Sequence, residues 1–485
     1  MIDWKAVLTK ILITTKNAVR FIAFCLVVIL LIGIWSSWFK PKSYDGTLSM
    51  RTFYEQPENS IDLLCIGSSH SFIDINTGVL WDEFGVPSYV LGASLQPFWN
   101  TYYSLKEAMK TQTPRLVVLE ALAVQIEDDY SNHGVLINNT AGMHWNMNKL
   151  ESIRSSVTDT DGFIDYSLLF EEYHSRYSEL NMFDIDADLS DAVKNENFKG
   201  FYDYLRTEYQ PKPFFHVNVD PIPMTNKQEY YYRLIIEYCR DNDIPLCIVV
   251  SPDAGYTEDA RSRYIYAAQI AEEYGVEFID FNEYYDRIGL DFDTDFGDIG
   301  HLNYLGNRKY TSYLGAYLCE HYDLIDRSDD TTGIYDSWEE NARYLETRAR
   351  NYELQETSVA EDYVDILNSL SDDYEVIVMV SDNTHISDEL ARYLGINGIP
   401  FIRMYDDRRY LIRDGITYPL EADENGLYFE EYLGSHHFVV CSDGIYYDGW
   451  STVNENHDGV VIAVIDTYNQ LLVDCGTVNY NEVWK

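Results

Sequence analysis

Basic residues are scarce in this sequence. The chain of 485 residues contains 35 lysines and arginines against 80 aspartates and glutamates, which gives a formal net charge of −45. Nucleic-acid binding requires a basic face, so this charge balance argues against that class of function. It also argues against tight association of the bulk surface with anionic lipid headgroups or polyanions. We interpret the acidity as a feature that keeps the surface solvated.

The sequence also lacks the spacings that mark metal and nucleotide sites. Its 7 cysteines form no Cys-x-x-Cys pair and no Cys/His ligand pattern. No glycine-rich phosphate loop occurs either. We therefore predict no metal and no organic cofactor, and we interpret most cysteines as small core residues. A disulfide between Cys441 and Cys475 stays open as an alternative.

One segment near the start lacks charge altogether. The run Phe21–Phe39 is uncharged, and roughly 20 apolar residues suffice to span the hydrocarbon core as a helix. Trp35 and Trp38 lie near its far end, where interfacial aromatic residues are common. A cleaved signal peptide is the alternative, but no small-x-small cleavage site follows the run. We predict a transmembrane helix over 21–39, a cytoplasmic tail over 1–20 and an extracytoplasmic chain beyond about residue 45.

Beyond that segment, short apolar runs alternate with helical patterns. This alternation is typical of a parallel sheet with helical crossovers. We predict a three-layer α/β sandwich over residues 45–325, with a five-stranded parallel sheet and an insertion over 124–225 that forms a cap beside the site. The predicted strands are Ile61–Ile66, Ser88–Leu91, Arg115–Leu122, Pro245–Val250 and Val276–Phe281.

The pattern changes again towards the end of the chain. Residues 326–356 are polar and charged, and we predict that they form a linker. Residues 357–485 are predicted to form a second, α+β domain, in which the last two strands make a hairpin. The predicted strands there are Glu375–Val380, Phe401–Met404, His437–Cys441, Val460–Ile465 and Leu471–Cys475.

The stretch Ile61–Ser71 carries the first chemical signal. Its apolar strand runs directly into a glycine and two serines, and ligands of open α/β sheets bind at this end of the strands. Far along the chain, Asp298 and His301 share one polar turn before a helical run, Tyr304–Tyr322. A histidine can take the proton of a serine hydroxyl when a third group fixes its tautomer. The alternative is that Gly67–Ser71 merely caps a helix, since serine is a favoured N-cap residue.

In this combination the sequence resembles the SGNH (GDSL-like) hydrolase superfamily, over roughly residues 58–322 less the insertion. Gly67-Ser68-Ser69 is similar to the Gly-Asp-Ser block, and Gly92 lies where the second-block glycine is expected. Asp298-Ile299-Gly300-His301 matches the Asp-x-x-His block. The resemblance implies that Ser69 is the nucleophile, His301 the base and Asp298 the group that orients it. It also implies an oxyanion hole built from the backbone N–H groups of Ser69 and Gly92.

One block of that pattern is missing. The superfamily supplies a third oxyanion donor from a Gly-x-Asn-Asp block after the third strand, where this chain has Leu119-Glu120-Ala121. The side chains of Gln96 and Asn100 are candidate substitutes. We assign His70, next to the nucleophile, a structural or substrate-side role rather than that of the base. Three further aspartates could compete with Asp298, but their spacing does not fit: Asp291, Asp293 and Asp295.

A signal anchor followed by an extracytoplasmic domain is similar to the layout of the D-alanine-transfer proteins of teichoic acid synthesis and of the alginate-acetylation proteins. This resemblance implies a serine acyl-transfer enzyme that moves an O-acetyl or similar group on cell-surface polysaccharide. The implied partners are a surface glycan and a membrane-bound acyltransferase. Two alternatives remain, namely a carbohydrate esterase and a non-catalytic glycan-binding or scaffold protein with an SGNH shell.

The predicted C-terminal domain resembles a different family. Segments 363–394 and 457–479 resemble interleukin-like, sugar-binding stem-type domains in permuted order. That resemblance implies a carbohydrate-binding module. The alternative is a small α+β domain that only packs on the first domain.

Overall fold

The computed structural model divides the chain into two compact units, residues 1–342 and 343–485. The division falls within the helix Asp336–Glu356, and each unit contains its own sheets. The described residues are 15–28, 31, 44–128, 133–158, 160–168, 199–216, 218–380, 386–400, 408–442, 444–452 and 459–485.

The first unit is built on a five-stranded sheet in which all strands run parallel, in the order β2-β1-β3-β4-β5. Each strand overlaps one of the predicted strands, so the expected parallel α/β sheet is confirmed. The strands are β1 Leu63–Gly67, β2 Ser88–Gly92, β3 Leu116–Glu120, β4 Leu246–Val250 and β5 Glu277–Asp280.

Helices cover both faces of this sheet. Alternate residues along β1, β3 and β4 enter two separate hydrophobic clusters, one on each face, which explains why these strands are continuous apolar runs. One cluster includes the helices Phe98–Ala108, Asn226–Asp241 and Glu258–Glu273. The other includes the helices Thr77–Phe84 and Tyr304–His321. The unit also contains the helices Ser49–Phe53, Ser69–Asp74 and Tyr285–Ile288.

The described part of the predicted insertion contains three helices, followed by an extended segment. The helices are His133–Ala141, Met147–Ser156 and Thr160–Leu168. The backbone N–H of Val90, in the middle of β2, donates to the carbonyl of Lys199 at 2.8 Å. The backbone N–H of Tyr304 donates to the carbonyl of Tyr204 at 2.9 Å. The extended segment is thus tied to β2 and to the start of the helix Tyr304–His321.

Most of the predicted membrane segment lies outside the described residues. Residues 15–28 are helical, as is residue 31, and the remainder of 21–39 is not described. Across the described ranges, no helix combines the length and the apolar character that crossing a membrane requires.

The second unit contains two antiparallel sheets that pack against each other. A six-stranded sheet has the order β15-β14-β13-β6-β7-β8, and a four-stranded sheet has the order β12-β11-β10-β9. Ile377 and Ala463 from the first sheet share one apolar cluster with Phe438 and Ile445 from the second. The helices Ala360–Asn368 and Asp388–Ile396 contribute to a further cluster with the six-stranded sheet. The strands are β6 Tyr374–Val380, β7 Arg408–Arg413, β8 Ile416–Leu420, β9 Leu427–Leu433, β10 His436–Cys441, β11 Gly444–Tyr447, β12 Trp450–Ser451, β13 Val460–Asp466, β14 Leu471–Val478 and β15 Val483–Trp484.

The sequence predicts this unit less completely than the first. The hairpin of β13 and β14 is confirmed, and β6 and β10 overlap predicted strands. The predicted strand Phe401–Met404 lies outside the described residues. Strands β7, β8, β9, β11, β12 and β15 were not predicted. Neither Cys441 nor Cys475 forms a disulfide, so the alternative of a bridge between them is wrong.

Candidate active site

The serine turn, Gly67–Ser69, connects β1 to the helix Ser69–Asp74. Gly67 has a φ of 155°, a backbone conformation that residues with a side chain rarely adopt. A Cβ atom on Gly67 would also lie 2.8 Å from the Cβ of Glu120, so the neighbouring strand leaves no room for one. Ser68 is extended, and Ser69 is the first residue of the helix. The Ser69 hydroxyl is thereby presented at the carboxyl end of the sheet.

The histidine turn, Asp298–His301, is held together by its own aspartate. Asp298 Oδ1 accepts hydrogen bonds from the backbone N–H groups of Gly300 at 2.8 Å and His301 at 3.0 Å. The two carboxylate oxygens also lie 2.9 and 3.0 Å from His301 Nδ1. The next residue, Leu302, donates its N–H to Asp74 Oδ1 at 3.0 Å. Since Asp74 ends the helix that Ser69 begins, this bond fixes the two turns relative to each other.

The structure brings the three predicted triad residues together. Ser69 Oγ lies 2.8 Å from His301 Nε2, while Nδ1 of the same ring faces Asp298. In this arrangement the imidazole can accept the hydroxyl proton while the carboxylate fixes the tautomer and orientation of the ring. The side chain of His301 is 22% exposed, whereas Ser69 is buried with 7% of its surface exposed.

The electrostatic environment of Asp298 favours its ionised form. Burial raises the pKa of Asp298, but the hydrogen bonds and charge of His301 outweigh burial and lower the pKa to about 2. The carboxylate is therefore charged at neutral pH and stabilises a positive charge on the imidazole. Tyr204, from the extended segment, donates its hydroxyl to Asp298 Oδ2 at 3.3 Å. Sequence reasoning missed Tyr204, because it lies in a stretch with no regular pattern.

His70 is a second imidazole beside the triad. Its ring centroid lies 5.1 Å from that of His301 at an interplanar angle of 76°, and the residue is only 4% exposed. Burial, followed by the charge of His301, lowers the pKa of His70 to about 3. Its Nδ1 atom is buried and has no hydrogen-bond partner among the described residues. The ring is therefore neutral at physiological pH and packs against the base.

The residues predicted to form the oxyanion hole differ in where the structure places them. Gly92 lies beside Gly67 in the register of β1 and β2, and a Cβ on Gly92 would come within 3.0 Å of the Ser68 carbonyl oxygen. The Gln96 amide instead donates to Thr101 Oγ1 at 3.1 Å. The Asn100 amide donates to the hydroxyls of two serines in the helix Met147–Ser156. The structure brings neither amide to Ser69, which corrects the suggestion that one of them supplies the third donor.

The competing aspartates lie in a separate turn. The backbone N–H of Asp291 donates to Asp295 Oδ2 at 2.8 Å, and that of Asp293 donates to Asp291 Oδ1 at 2.9 Å. Asp295 also forms an ion pair with Lys309 at 2.6 Å. These contacts engage the carboxylates of Asp291 and Asp295, and the carboxylate bound to His301 is that of Asp298.

Three carboxyl groups to which the sequence pattern assigns no role lie around the triad; Glu120 and Asp74 are buried, and Asp253 is partly buried. Burial raises the pKa of Glu120 to about 7, that of Asp253 to about 6 and that of Asp74 well above its usual range. Glu120 ends β3 and Asp253 follows β4, so both belong to the same sheet edge as Ser69. The sequence signal that could have identified Glu120 and Asp253 is an acidic residue at or just after the end of an apolar strand. No cluster of three or more histidine, cysteine or acidic side chains within the described ranges could hold a metal ion.

Comparison of the chain with models of known protein families gives no match, and a search of curated proteins finds none with significant similarity. The resemblance to the SGNH superfamily therefore rests on the motifs quoted above and stays a prediction.

Proposed function

We propose that this protein is an extracytoplasmic serine acyl-transfer enzyme that moves an O-acetyl or similar group on cell-surface polysaccharide. The observation that carries the catalytic part is the 2.8 Å contact between Ser69 Oγ and His301 Nε2, with Asp298 bound to the other ring nitrogen. The extracytoplasmic placement and the glycan acceptor are supported by the uncharged run Phe21–Phe39 and by the resemblance of the motifs.

The first half-reaction acylates the serine. Ser69 Oγ attacks the carbonyl carbon of an ester donor, and its proton passes to His301 Nε2. Backbone N–H groups at the start of the helix Ser69–Asp74 stabilise the negative oxygen of the tetrahedral intermediate. The intermediate collapses as the donor alcohol leaves with the proton from His301, and the acyl group remains as an ester on Ser69.

The second half-reaction transfers the acyl group. A hydroxyl of the acceptor glycan gives its proton to His301 and attacks the acyl carbon. Ser69 then leaves and recovers the proton, which restores the starting state. Water in place of the sugar hydroxyl would make the same machinery an esterase, so the acceptor alone separates these two activities.

One observation favours the non-catalytic alternative. Where the superfamily pattern places an asparagine donor, this chain has a buried glutamate, Glu120. Loss of one oxyanion donor costs roughly 10²–10³ in rate when nothing replaces it. The glutamate in place of the asparagine donor is compatible with a slow transferase and also with a glycan-binding protein that retains the triad geometry.

The decisive experiment is a burst assay on the full-length protein with p-nitrophenyl acetate, read by intact mass. We expect an adduct of acetyl mass that is absent from Ser69→Ala and strongly reduced in His301→Ala. Matched controls are Ser60→Ala, a buried serine that donates to the Pro57 carbonyl, and His216→Ala, an exposed histidine paired with Glu258. Both controls should keep the adduct.

The outcomes separate the candidates. An adduct that disappears faster when soluble glycan is added supports transfer, and one that decays only with water supports an esterase. A folded wild-type protein that forms no adduct would refute the enzymatic proposal and leave the glycan-binding alternative.

A further inference from the structure

We propose that Glu120 is a positioning residue that fixes the serine turn for catalysis, acting through its hydrogen bond with the Ser68 hydroxyl. This inference deepens the proposed function and rests on it. A carboxyl group at the end of β3 would thereby control the orientation of a peptide bond at the end of β1.

Glu120 holds Ser68 from one side. Ser68 Oγ donates to Glu120 Oε2 at 2.9 Å. The other oxygen, Oε1, accepts the N–H of Leu122 at 2.9 Å. Ser68 and Glu120 are both fully buried. A buried carboxylate with a donor on each oxygen is a rigid acceptor rather than a solvated charge.

Ser71 holds the same residue from the other side. The carbonyl oxygen of Ser68 accepts the Ser71 hydroxyl at 2.6 Å and the Ser71 N–H at 3.0 Å. In a trans peptide the C=O and the following N–H point in opposite directions. With the Ser68 carbonyl fixed, the direction of the Ser69 N–H is fixed as well. That N–H is the donor assigned to the oxyanion.

The scaffold behind Glu120 is itself rigid. Its backbone lies at the end of a central strand, and the N–H of the next residue, Ala121, donates to the Val249 carbonyl at 2.9 Å. The absence of a Cβ on Gly67 lets the turn approach Glu120 directly. Glu120 therefore links the geometry of the sheet to the position of the reacting serine.

This arrangement gives a physical reason for two departures from the superfamily pattern at once. Ser68 stands at the place of the aspartate, and Glu120 stands in the segment that should provide the asparagine. In the pair of Ser68 and Glu120 the carboxyl group is supplied by Glu120 at the end of β3, whereas the superfamily pattern has it in the turn after β1. The Ser68 hydroxyl donates to the Glu120 carboxylate, so the residues at the two positions complement each other as donor and acceptor.

The test is a double-mutant cycle with Ser68→Ala, Glu120→Gln and both together, assayed as the rate of Ser69 acetylation in the full-length protein. We expect each single variant to lower the rate about 100-fold with little change in KM, because misplacing a reacting group by about 1 Å costs that much. The double variant should be no slower than either single variant. Glu107→Gln is the matched control, since Glu107 is a buried glutamate bound by Tyr54, Asn146 and Asn148.

The pH profile provides a readout that a merely structural role would not move. The positioning role requires an ionised Glu120, whose pKa burial raises to about 7. Lowering the pH through this value should therefore reduce the wild-type rate more steeply than the rate of Glu120→Gln, which carries no titrating group at this position. Other titratable groups around Glu120 are Asp74, Asp253, Tyr264 and Tyr310, and the charge of Glu120 contributes to the raised pKa values of Asp74, Tyr264 and Tyr310.

Failure of this inference can be distinguished from failure of the proposed function. A Glu120→Gln rate equal to wild type, or additive losses in the cycle, would overturn the role of Glu120 while acylation of Ser69 stands. If wild type forms no acyl adduct, backbone hydrogen exchange in peptides spanning Ile66–Phe72 decides. Faster exchange in Glu120→Gln than in Glu107→Gln supports positioning, and equal exchange overturns it.

Discussion

Histidine–carboxylate pairs occur in both units, but among the described residues only the pair His301–Asp298 of the first unit also contacts a serine hydroxyl. His301 and Asp298 lie 2.9 Å apart, with side chains 22% and 33% exposed, and a serine hydroxyl occupies the other ring nitrogen. In the second unit, His436 pairs with Asp448 at 2.7 Å, with side chains 51% and 44% exposed. That ring stacks on Tyr447, and no serine hydroxyl contacts it within the described part of this unit. The pair by itself therefore does not define a site.

The difference lies in the sheets. In the parallel sheet all strands end at one edge, so Gly67, Gly92 and Glu120 meet there together with the start of a helix. In the antiparallel sheets the strand ends alternate between two edges, and polar side chains spread over an open face. A parallel sheet concentrates polar groups where they can share protons, whereas an antiparallel one disperses them.

Changing the carboxylate of each histidine pair tests this difference most directly. Asp298→Asn should lower the rate of Ser69 acetylation by about 10³–10⁴, because the amide no longer holds the tautomer in which Nε2 accepts a proton. Asp448→Asn should leave the rate within about two-fold of wild type, as expected of an exposed surface pair. Stopped-flow release of p-nitrophenol measures both. Equal effects of the two changes would mean that His301 is not the base.

A second prediction compares buried carboxyl groups through the pH dependence of stability. The pKa of Glu120 rises from 4.5 to about 7 in the folded protein, so the folded state holds this proton more tightly than the unfolded chain. Stability from this group is therefore present at low pH and is lost as the pH rises from about 4.5 to about 7. The loss should approach roughly 3 kcal/mol.

Denaturant unfolding at about pH 5 and about pH 8 tests this sign. Glu120→Gln should show a smaller decrease in the free energy of unfolding between these pH values than wild type. Burial raises the pKa of Glu107, but bonds from Lys110, Asn148 and Tyr54 outweigh it and lower the pKa, so Glu107→Gln should keep the wild-type decrease. A Glu120→Gln curve parallel to wild type would contradict the raised pKa.

A third prediction compares two glycines with positive φ. Gly67→Ala should cost on the order of 2–3 kcal/mol of unfolding free energy and abolish acylation, because the new methyl group meets Glu120 Cβ at 2.8 Å in a strained backbone. Gly449 has a φ of 79°, and nothing lies within 4 Å of the position that a Cβ would take there. Gly449→Ala should therefore cost about 1 kcal/mol and keep full activity. Thermal unfolding and the acylation assay check both. Equal costs would show that contact with Glu120 does not constrain the turn.

The sequence predicted the elements whose signals are local. Apolar runs closed by Gly67 and Gly92 predicted strand ends, and the parallel sheet follows from strands separated by helical patterns. Ser69, Asp298 and His301 could be proposed because each motif is short: Ser69 lies in one turn, and Asp298 and His301 share another. Strands β7 and β9 were missed, since RRYLIR and LYFEEYL have half-buried faces and charged residues that obscure the alternation.

Contacts between distant segments could not be predicted in the same way. In the sequence, Glu120 was noted only because it stands where the superfamily pattern has an asparagine. Its hydrogen bond with Ser68 depends on the register of β1 against β3. Gln96 and Asn100 are near Gly92 along the chain, but the orientation of the helix Phe98–Ala108 directs the Asn100 amide to Ser152 and Ser156. Closeness to Gly92 along the chain therefore did not predict which way the amides of Gln96 and Asn100 point.

The smallest expected effect concerns the tyrosine that joins the insertion to the triad. Tyr204→Phe removes the 3.3 Å hydrogen bond to Asp298 Oδ2 and leaves the bonds from His301 and Gly300 in place. A hydrogen bond of this kind contributes about 1 kcal/mol, so the acylation rate should fall about five-fold. Tyr432→Phe, on a ring stacked 4.7 Å from His437 in the second unit, should change nothing in the same assay. If Tyr204→Phe is also silent, the extended segment contributes no hydrogen bond that matters to the triad, and its contact with Asp298 is packing alone.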